Sequence, residues 1–268
     1  MQRIESTQNK RFKTIRSLNT KKYRSELSLF IAEGLKVVAT AMENDWTPKY
    51  LVVTPEAQAI DFCQTVIQWA EKRGCLCLEA PQSMVDLLST SENAPNIVGV
   101  FEQQWMPAEK VTPDGNQVWL ALEEIRDAGN LGTIIRTMDA VGGAGIILAG
   151  DCCDAYSTKT VRATMGAIFS VPLVRMDKAA FREKLKAWPG EKVGTHLAGA
   201  VDFRRTYRRP VLLVMGTEGH GLSPEAAALC DRLVKIPMVG KSDSLNLSIA
   251  TALMLFEINR EQLGRLAD

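Results

Sequence analysis

Residues 236–257 read IPMVGKSDSLNLSIATALMLFE. The stretch leaves an apolar strand end at Ile236, Pro237 and Met238, passes through a polar Gly/Ser loop at 240–244, and enters a helix. The helix is indicated by Leu245, Ile249, Leu253 and Phe256, which recur at helical spacing. A loop of this composition opening a helix leaves main-chain N–H groups without intrahelical partners, and such groups can hold a small polar ligand. Alone, the stretch reads equally well as an ordinary strand–helix connection. Ser244 and Asn246 are both good N-cap residues, but one cap accounts for only one of them.

Two further stretches change the balance. Residues 126–143 read RDAGNLGTIIRTMDAVGG and residues 214–224 read VMGTEGHGLSP. With a helix starting near Asn130, Arg136 falls nearly two turns in, beside Ile134 and Ile135. There it is either a snorkelling surface arginine or a planar fork aimed at a phosphate or a developing oxyanion. Glu218 sits in a Gly-rich loop after an apolar run. That position suits a brace, accepting loop N–H bonds or holding Asn130, better than a general base. Gly216, Gly219 and Gly221 permit tight turning and close ligand approach.

The chain has 268 residues, 46% hydrophobic and 24% charged. That is enough for one large domain or two ordinary ones with real cores. Net charge is only +1, so any nucleic-acid surface must come from local clustering. Between Met1 and Arg24 lie Arg3, Lys10, Arg11, Lys13, Arg16, Lys21, Lys22 and Arg24 against the single acid Glu5. Residues 203–209 add Arg204, Arg205, Arg208 and Arg209 around Tyr207. Both clusters are candidates to track phosphates, though a solvated face is the default for any charge run. The N-terminus lacks the apolar core of a secretory signal, and no run of about 18 apolar residues predicts a membrane span. The six cysteines form no C-x-x-C pair and only His196 and His220 accompany them. No metal site is therefore expected, and reduced thiols in the cytoplasm are.

Apolar runs at 30–32, 50–53, 75–78 and 97–101 alternate with helical patterns at 34–43 and 57–72, predicting a small α/β layer domain over residues 1–104. Residues 105–116, with Pro107, Pro113 and an Asp114-Gly115 turn signal, read as a linker. In residues 117–268, continuous apolar runs at 118–122, 144–148, 211–215 and 234–236 lie between helical stretches such as 131–141. That pattern predicts a parallel sheet covered on both faces.

The three stretches, in this order, resemble the SpoU (TrmH-like) family of RNA ribose 2′-O-methyltransferases in the SPOUT superfamily. The matching positions are Asn130/Gly132/Arg136, Gly216/Glu218/Gly221/Leu222 and Ser244/Leu245/Asn246. Two departures are mild: Asp127-Ala128-Gly129 replaces Asp-Pro-Gly, and Arg162-Ala163-Thr164-Met165-Gly166 carries Thr for Ser. The resemblance implies a C-terminal trefoil knot, which periodicity cannot reveal. It also implies a smaller N-terminal domain similar to ribosomal protein L30e that grips RNA, beginning near FIAEGLKVV at 30–38, and a homodimer whose sites borrow residues across subunits. It implies S-adenosylmethionine as cofactor, held by Thr195, Gly216, Ile236, Met238 and Leu245, with Asn130, Arg136, Glu218, Ser244 and Asn246 at the methyl-transfer site. Lys10, Arg11 and Arg162 are expected on RNA, ribosomal rather than transfer RNA.

The reaction implied is attack of a ribose 2′-hydroxyl on a sulfonium methyl group. The sulfonium is already a strong electrophile, so no metal is called for. The protein must orient the hydroxyl and stabilise its growing charge. Guanidinium does not deprotonate in proteins, so Arg136 is expected to act electrostatically, with the proton leaving to phosphate or water. Two rival readings differ in class. A nicotinamide-dependent enzyme fails because Gly142-Gly143-Ala144-Gly145 precedes a strand instead of following one. A non-catalytic RNA-binding protein on the same fold is separated by the intact Arg136/Glu218/Ser244/Asn246 set.

Overall fold

The computed structural model describes residues 1–89, 95–196, 201–260 and 264. In chain order the strands are β1 (Gln2–Arg3), β2 (Leu29–Glu33), β3 (Tyr50–Val53), β4 (Leu76–Glu79), β5 (Ile97–Glu102), β6 (Val118–Glu123), β7 (Gly145–Ala149), β8 (Leu173–Met176), β9 (Glu191–Thr195), β10 (Val201–Asp202), β11 (Val211–Met215) and β12 (Arg232–Lys235). The α-helices are α1 (Lys10–Ser17), α2 (Lys21–Leu27), α3 (Leu35–Glu43), α4 (Pro55–Gln58), α5 (Asp61–Lys72), α6 (Gln82–Val85), α7 (Ala128–Ala140), α8 (Thr158–Ala163), α9 (Lys178–Lys186), α10 (Pro224–Leu229) and α11 (Leu247–Ile258). The helix expected at 57–72 is two helices, because the chain turns at Ala59 and Ile60.

The chain divides into two compact units, residues 1–104 with 154–170, and residues 105–153 with 171–268. The first unit holds a mixed sheet in the order β1-β4-β3-β5-β2, with β2 and β3 antiparallel to β5. α5 buries Cys63, Val66, Ile67 and Ala70, one helical stripe. α1 buries Phe12 and Ile15 and is capped by Asn9, whose carboxamide oxygen accepts from the Arg11 amide at 2.9 Å.

Residues 154–170, which sequence pattern places in the second half, complete this first unit. The Tyr156 hydroxyl, buried, donates to the Gln104 carbonyl at 2.6 Å and accepts from the Gln104 amide at 3.1 Å. Its ring lies 4.6 Å from that of Phe30, in a cluster with Phe101, Phe169 and Trp46. Arg24, counted above among the surface cations, is only 5% exposed. It reaches Asp154 with two nitrogens at 2.8 Å and the Leu18 carbonyl at 2.7 Å.

The second unit is one parallel sheet in the order β10-β12-β9-β11-β6-β7-β8. β6, β7 and β11 are buried along their whole length, as strands covered on both faces must be. Residues 105–116 pack onto this unit. Val111 is buried, the Met106 amide donates to the Leu173 carbonyl at 2.8 Å, and the Lys184 ammonium donates to the Val111 carbonyl at 3.0 Å. Strand order reverses at β6. β7 and β8 continue to one side, while β11 and β9 lie on the other. Open parallel sheets bind ligands outside the carboxyl ends of the strands at such a reversal.

Candidate active site

The motif-bearing segments all leave the carboxyl ends of neighbouring strands. The α7 segment follows β6, the Gly-rich turn follows β11, Thr195 ends β9, and residues 236–246 follow β12. Thr195 is the last residue of its strand. Its hydroxyl donates to the Met215 sulfur at 3.3 Å.

Three of the five expected catalytic residues meet directly. The Asn130 carboxamide nitrogen donates to Glu218 Oε1, and the Asn246 carboxamide nitrogen donates to Asn130 Oδ1 at 3.0 Å. Glu218 thus braces Asn130. Each end of the joint is anchored. Asp127 caps α7 by accepting from the Asn130 amide at 2.7 Å. Asn246 caps α11, its Oδ1 accepting from the Ser248 amide at 2.9 Å and the Ile249 amide at 3.4 Å. α11 therefore starts at Leu247, and the cap question is answered by Asn246. Ser244 is exposed and makes no side-chain hydrogen bond among the described residues. Each carboxamide nitrogen in the joint keeps one N–H free for a further acceptor.

Arg136 lies elsewhere on α7. Ile134 and Ile135 are fully buried, but Arg136 shares an exposed stripe with Thr133 and Ala140. Six residues beyond Asn130 is about 9 Å along the helix and two-thirds of a turn further round it. Among the described residues its guanidinium has no ion pair.

The Gly-rich turn is tightly closed. Thr217 and Gly221 exchange main-chain hydrogen bonds at 2.9 and 3.1 Å, leaving Glu218, Gly219 and His220 at the tip. A Cβ at Gly216 would lie 2.0 Å from the Gly221 carbonyl group, so the main chain at 216 is bare of any side chain. Among the described residues, nothing accepts a hydrogen bond from the main-chain amides between Met238 and Leu245. Met238 and Val239 put exposed apolar side chains beside them. A bare glycine, unpaired amides and an apolar rim fit an adenosine, which has polar edges and apolar faces. Gly216→Ala is expected to weaken S-adenosylhomocysteine binding by about tenfold or more, read by calorimetry.

The arginines of residues 203–209 each have partners within the fold. Arg204 forms a fork on Asp202 at 2.7 and 3.0 Å, holding that carboxyl down at about 2. Arg205 pairs with buried Glu191 at 2.6 Å. Arg208 donates its amide to Glu191 at 2.7 Å and its guanidinium to the Gly190 carbonyl at 3.3 Å. Arg209 holds the Ile258 carbonyl at 2.9 Å and the Asn259 side chain at 3.0 Å. Lys10, Arg11 and Arg162, in contrast, are exposed, Arg11 touching the Gln2 side chain. No group of His, Cys, Asp or Glu that could hold a metal occurs among the described residues, and no described helix is long and apolar enough to cross a membrane. All six cysteines are free.

One residue at this edge escaped the sequence reading. Glu123 ends the apolar run VWLALE, and an acid closing a buried strand at its carboxyl end was the available signal.

Comparisons agree with this arrangement. The pattern of the SpoU rRNA Methylase family matches residues 117–256, and that of an MRM3-like substrate binding domain matches residues 9–99. The AdoMet-bound rRNA methyltransferase from Sinorhizobium meliloti is 41% identical and superposes with a TM-score of 0.90, covering 97% of this chain and 98% of its own. The 23S rRNA guanosine 2′-O-methyltransferase RlmP of Bacillus subtilis is 29% identical over 96% of this chain and 99% of its own length. A 23S rRNA uridine 2′-O-methyltransferase of Streptomyces viridochromogenes is 29% identical over 98% of this chain and 94% of its own. With its three loops converging on the Glu218–Asn130–Asn246 joint and its second half matched throughout by the family pattern, the chain belongs to the SpoU rRNA methylase family.

Proposed function

We infer that the chain is an S-adenosylmethionine-dependent RNA ribose 2′-O-methyltransferase acting on ribosomal RNA. The observation that carries this reading is the Glu218–Asn130–Asn246 joint outside the carboxyl ends of β6 and β11. RlmP and the S. viridochromogenes enzyme are named for 23S rRNA, one for a guanosine and one for a uridine. They favour ribosomal over transfer RNA and leave the base open.

Gly216, Ile236, Met238, Leu245 and Thr195 would hold the cofactor, chiefly through main-chain N–H and C=O groups. When bound, it supplies a methyl group on a positively charged sulfur. The spare N–H groups of Asn130 and Asn246 orient the ribose hydroxyl, Glu218 fixes their direction, and Ser244 adds a hydroxyl at the rim. Arg136 stabilises the growing charge on the ribose oxygen. Lys10, Arg11 and Arg162 contact phosphates, so residues 1–104 with 154–170 serve as the substrate grip. A cytoplasmic location belongs to the same reading, and free thiols and a ribosomal RNA substrate support it.

The working unit is a homodimer. α11 is apolar almost all round, yet Ile249, Leu253 and Phe256 are 52%, 41% and 49% exposed. This is the stripe that marked the helix in the sequence, and it faces outward. α7 packs beside α11 and carries Arg136 on its own exposed stripe. A second copy over these faces would cover the apolar residues and bring Arg136 against the partner's site. Leu253→Glu is expected to convert dimer to monomer, read by light scattering, with loss of methylation. A trefoil knot is part of the same reading. After β12 the chain returns across the sheet so that α11 packs on α7 and β11, the path a threaded C-terminus takes.

Calorimetric titration with S-adenosylhomocysteine tests the assignment. Saturable one-to-one binding is expected. Absence of binding would favour the RNA-binding module without catalysis.

A further inference from the structure

Strand β6 is apolar for five residues and then ends on Glu123, a carboxylate only 6% exposed. Both its oxygens go to one residue. Oε2 accepts the Ser223 amide at 2.9 Å and Oε1 accepts the Ser223 hydroxyl at 2.7 Å. Among the described residues no cation forms an ion pair with it. Lys178, paired with the neighbouring Glu124, attracts it without touching it; burying a carboxylate with no cation in contact is costly, so a charge kept here calls for a reason. Ser223 caps α10, its hydroxyl oxygen accepting from the Ala226 amide at 3.2 Å. Capping alone does not need a buried acid behind the serine.

Ser223 also follows directly on the Gly-rich turn. At one end of that turn Gly216 lies against Gly221, in the middle Thr217 and Gly221 are paired, and at the tip Glu218 reaches Asn130. The far end is the Ser223–Glu123 contact. It ties the turn to the strand that leads into α7, and hence to the segment bearing Asn130. We propose that Glu123 is a positioning residue. It latches the Gly-rich turn after β11 to the end of the neighbouring strand β6, fixing where Glu218 meets Asn130 and where the main chain of Gly216 faces the cofactor. The proposal rests on the methyltransferase reading for its consequence, but the latch can be measured without it.

Glu123→Gln is the informative variant. It keeps the volume and removes the charge. It offers one acceptor and one donor where Ser223 presents two donors, so one of those donors loses its partner. The hydrogen–deuterium exchange of the Thr217 and Gly221 amides is expected to speed by about tenfold, and S-adenosylhomocysteine affinity and kcat each to fall by about tenfold. KM for RNA should stay near wild type, and the thermal midpoint should fall by no more than a few degrees. Glu123→Asp keeps the charge on a shorter arm and should recover part of the loss. Should Glu123→Gln not fold, Glu123→Asp carries the same readouts against wild type. Unchanged exchange at 217 and 221, with unchanged ligand affinity and only a lowered midpoint, would reduce Glu123 to support for the α10 cap and overturn the proposal. Exchange is read on the free protein. A wild-type chain that binds no S-adenosylhomocysteine therefore sinks the methyltransferase reading, while the latch stands or falls on exchange alone.

Discussion

Arg136→Ala is expected to lower kcat for ribose methylation by roughly 10²–10³ while S-adenosylhomocysteine affinity stays within about twofold. Arg136 is exposed on α7 and has no ion pair among the described residues, while Ile134 and Ile135 beside it are buried. It holds nothing in the fold together, so its removal should leave stability near wild type. The cofactor loops lie elsewhere, so binding of the methyl donor should also survive. The loss belongs to the transition state, where a ribose oxygen acquires negative charge and a planar five-donor fork can meet it. Arg136→Lys keeps the charge and loses the fork, and should recover only part of the rate. Near-normal turnover in the lysine variant would contradict the requirement for a fork. Wild-type turnover in the alanine variant would remove Arg136 from the reaction altogether.

The largest expected loss of stability comes from Arg24→Met. Arg24 is only 5% exposed, and its guanidinium contacts Asp154 and the Leu18 carbonyl. Removing it leaves Asp154 as a nearly buried charge with its cation gone, at a cost of about 3–5 kcal/mol. That is a large part of the roughly 5–15 kcal/mol by which domains are stable. Asp154 heads the segment 154–170, which carries Tyr156 and Phe169 into the aromatic cluster of the first unit. The loss should therefore register in Trp46, whose indole nitrogen donates to the Phe169 carbonyl at 2.8 Å. In urea titration followed by tryptophan fluorescence, the midpoint should fall clearly. The double variant Arg24→Met/Asp154→Asn should regain part of it, since no uncompensated charge remains. A single variant as stable as wild type would show that water reaches Asp154.

Much of this was legible in the sequence because the deciding features are local. The runs VWLALE, GIILA and VLLVM are continuous and apolar, and only a strand covered on both faces uses such runs. The motifs at Asn130, Glu218 and Asn246 fall on loops after strands or at helix starts, where caps and turns have their own residue chemistry. What stayed hidden depends on distant partners. Nothing in 203–209 announces the partners of its arginines, Glu191 more than ten residues away and Asn259 some fifty away. Arg24 looked like one more surface cation because Asp154 lies 130 positions on. Strands β8 and β9 carry Arg175 and Lys192 within four- and five-residue runs, too short for alternation to stand out. The stripe Ile249, Leu253 and Phe256 was correctly helical, but a sequence pattern does not say whether the chain's own core or a second copy covers it.

The central claim is that these loops present a methyl donor to a ribose hydroxyl. Ribosomal RNA from cells lacking the gene, incubated with the purified protein and S-adenosylmethionine carrying a labelled methyl group, tests it most directly, after digestion to nucleosides and mass spectrometry. Label on the ribose oxygen of a single nucleotide, abolished by Asn130→Ala, is the predicted result. Label on a base, or no transfer from a protein that binds S-adenosylhomocysteine, would contradict it.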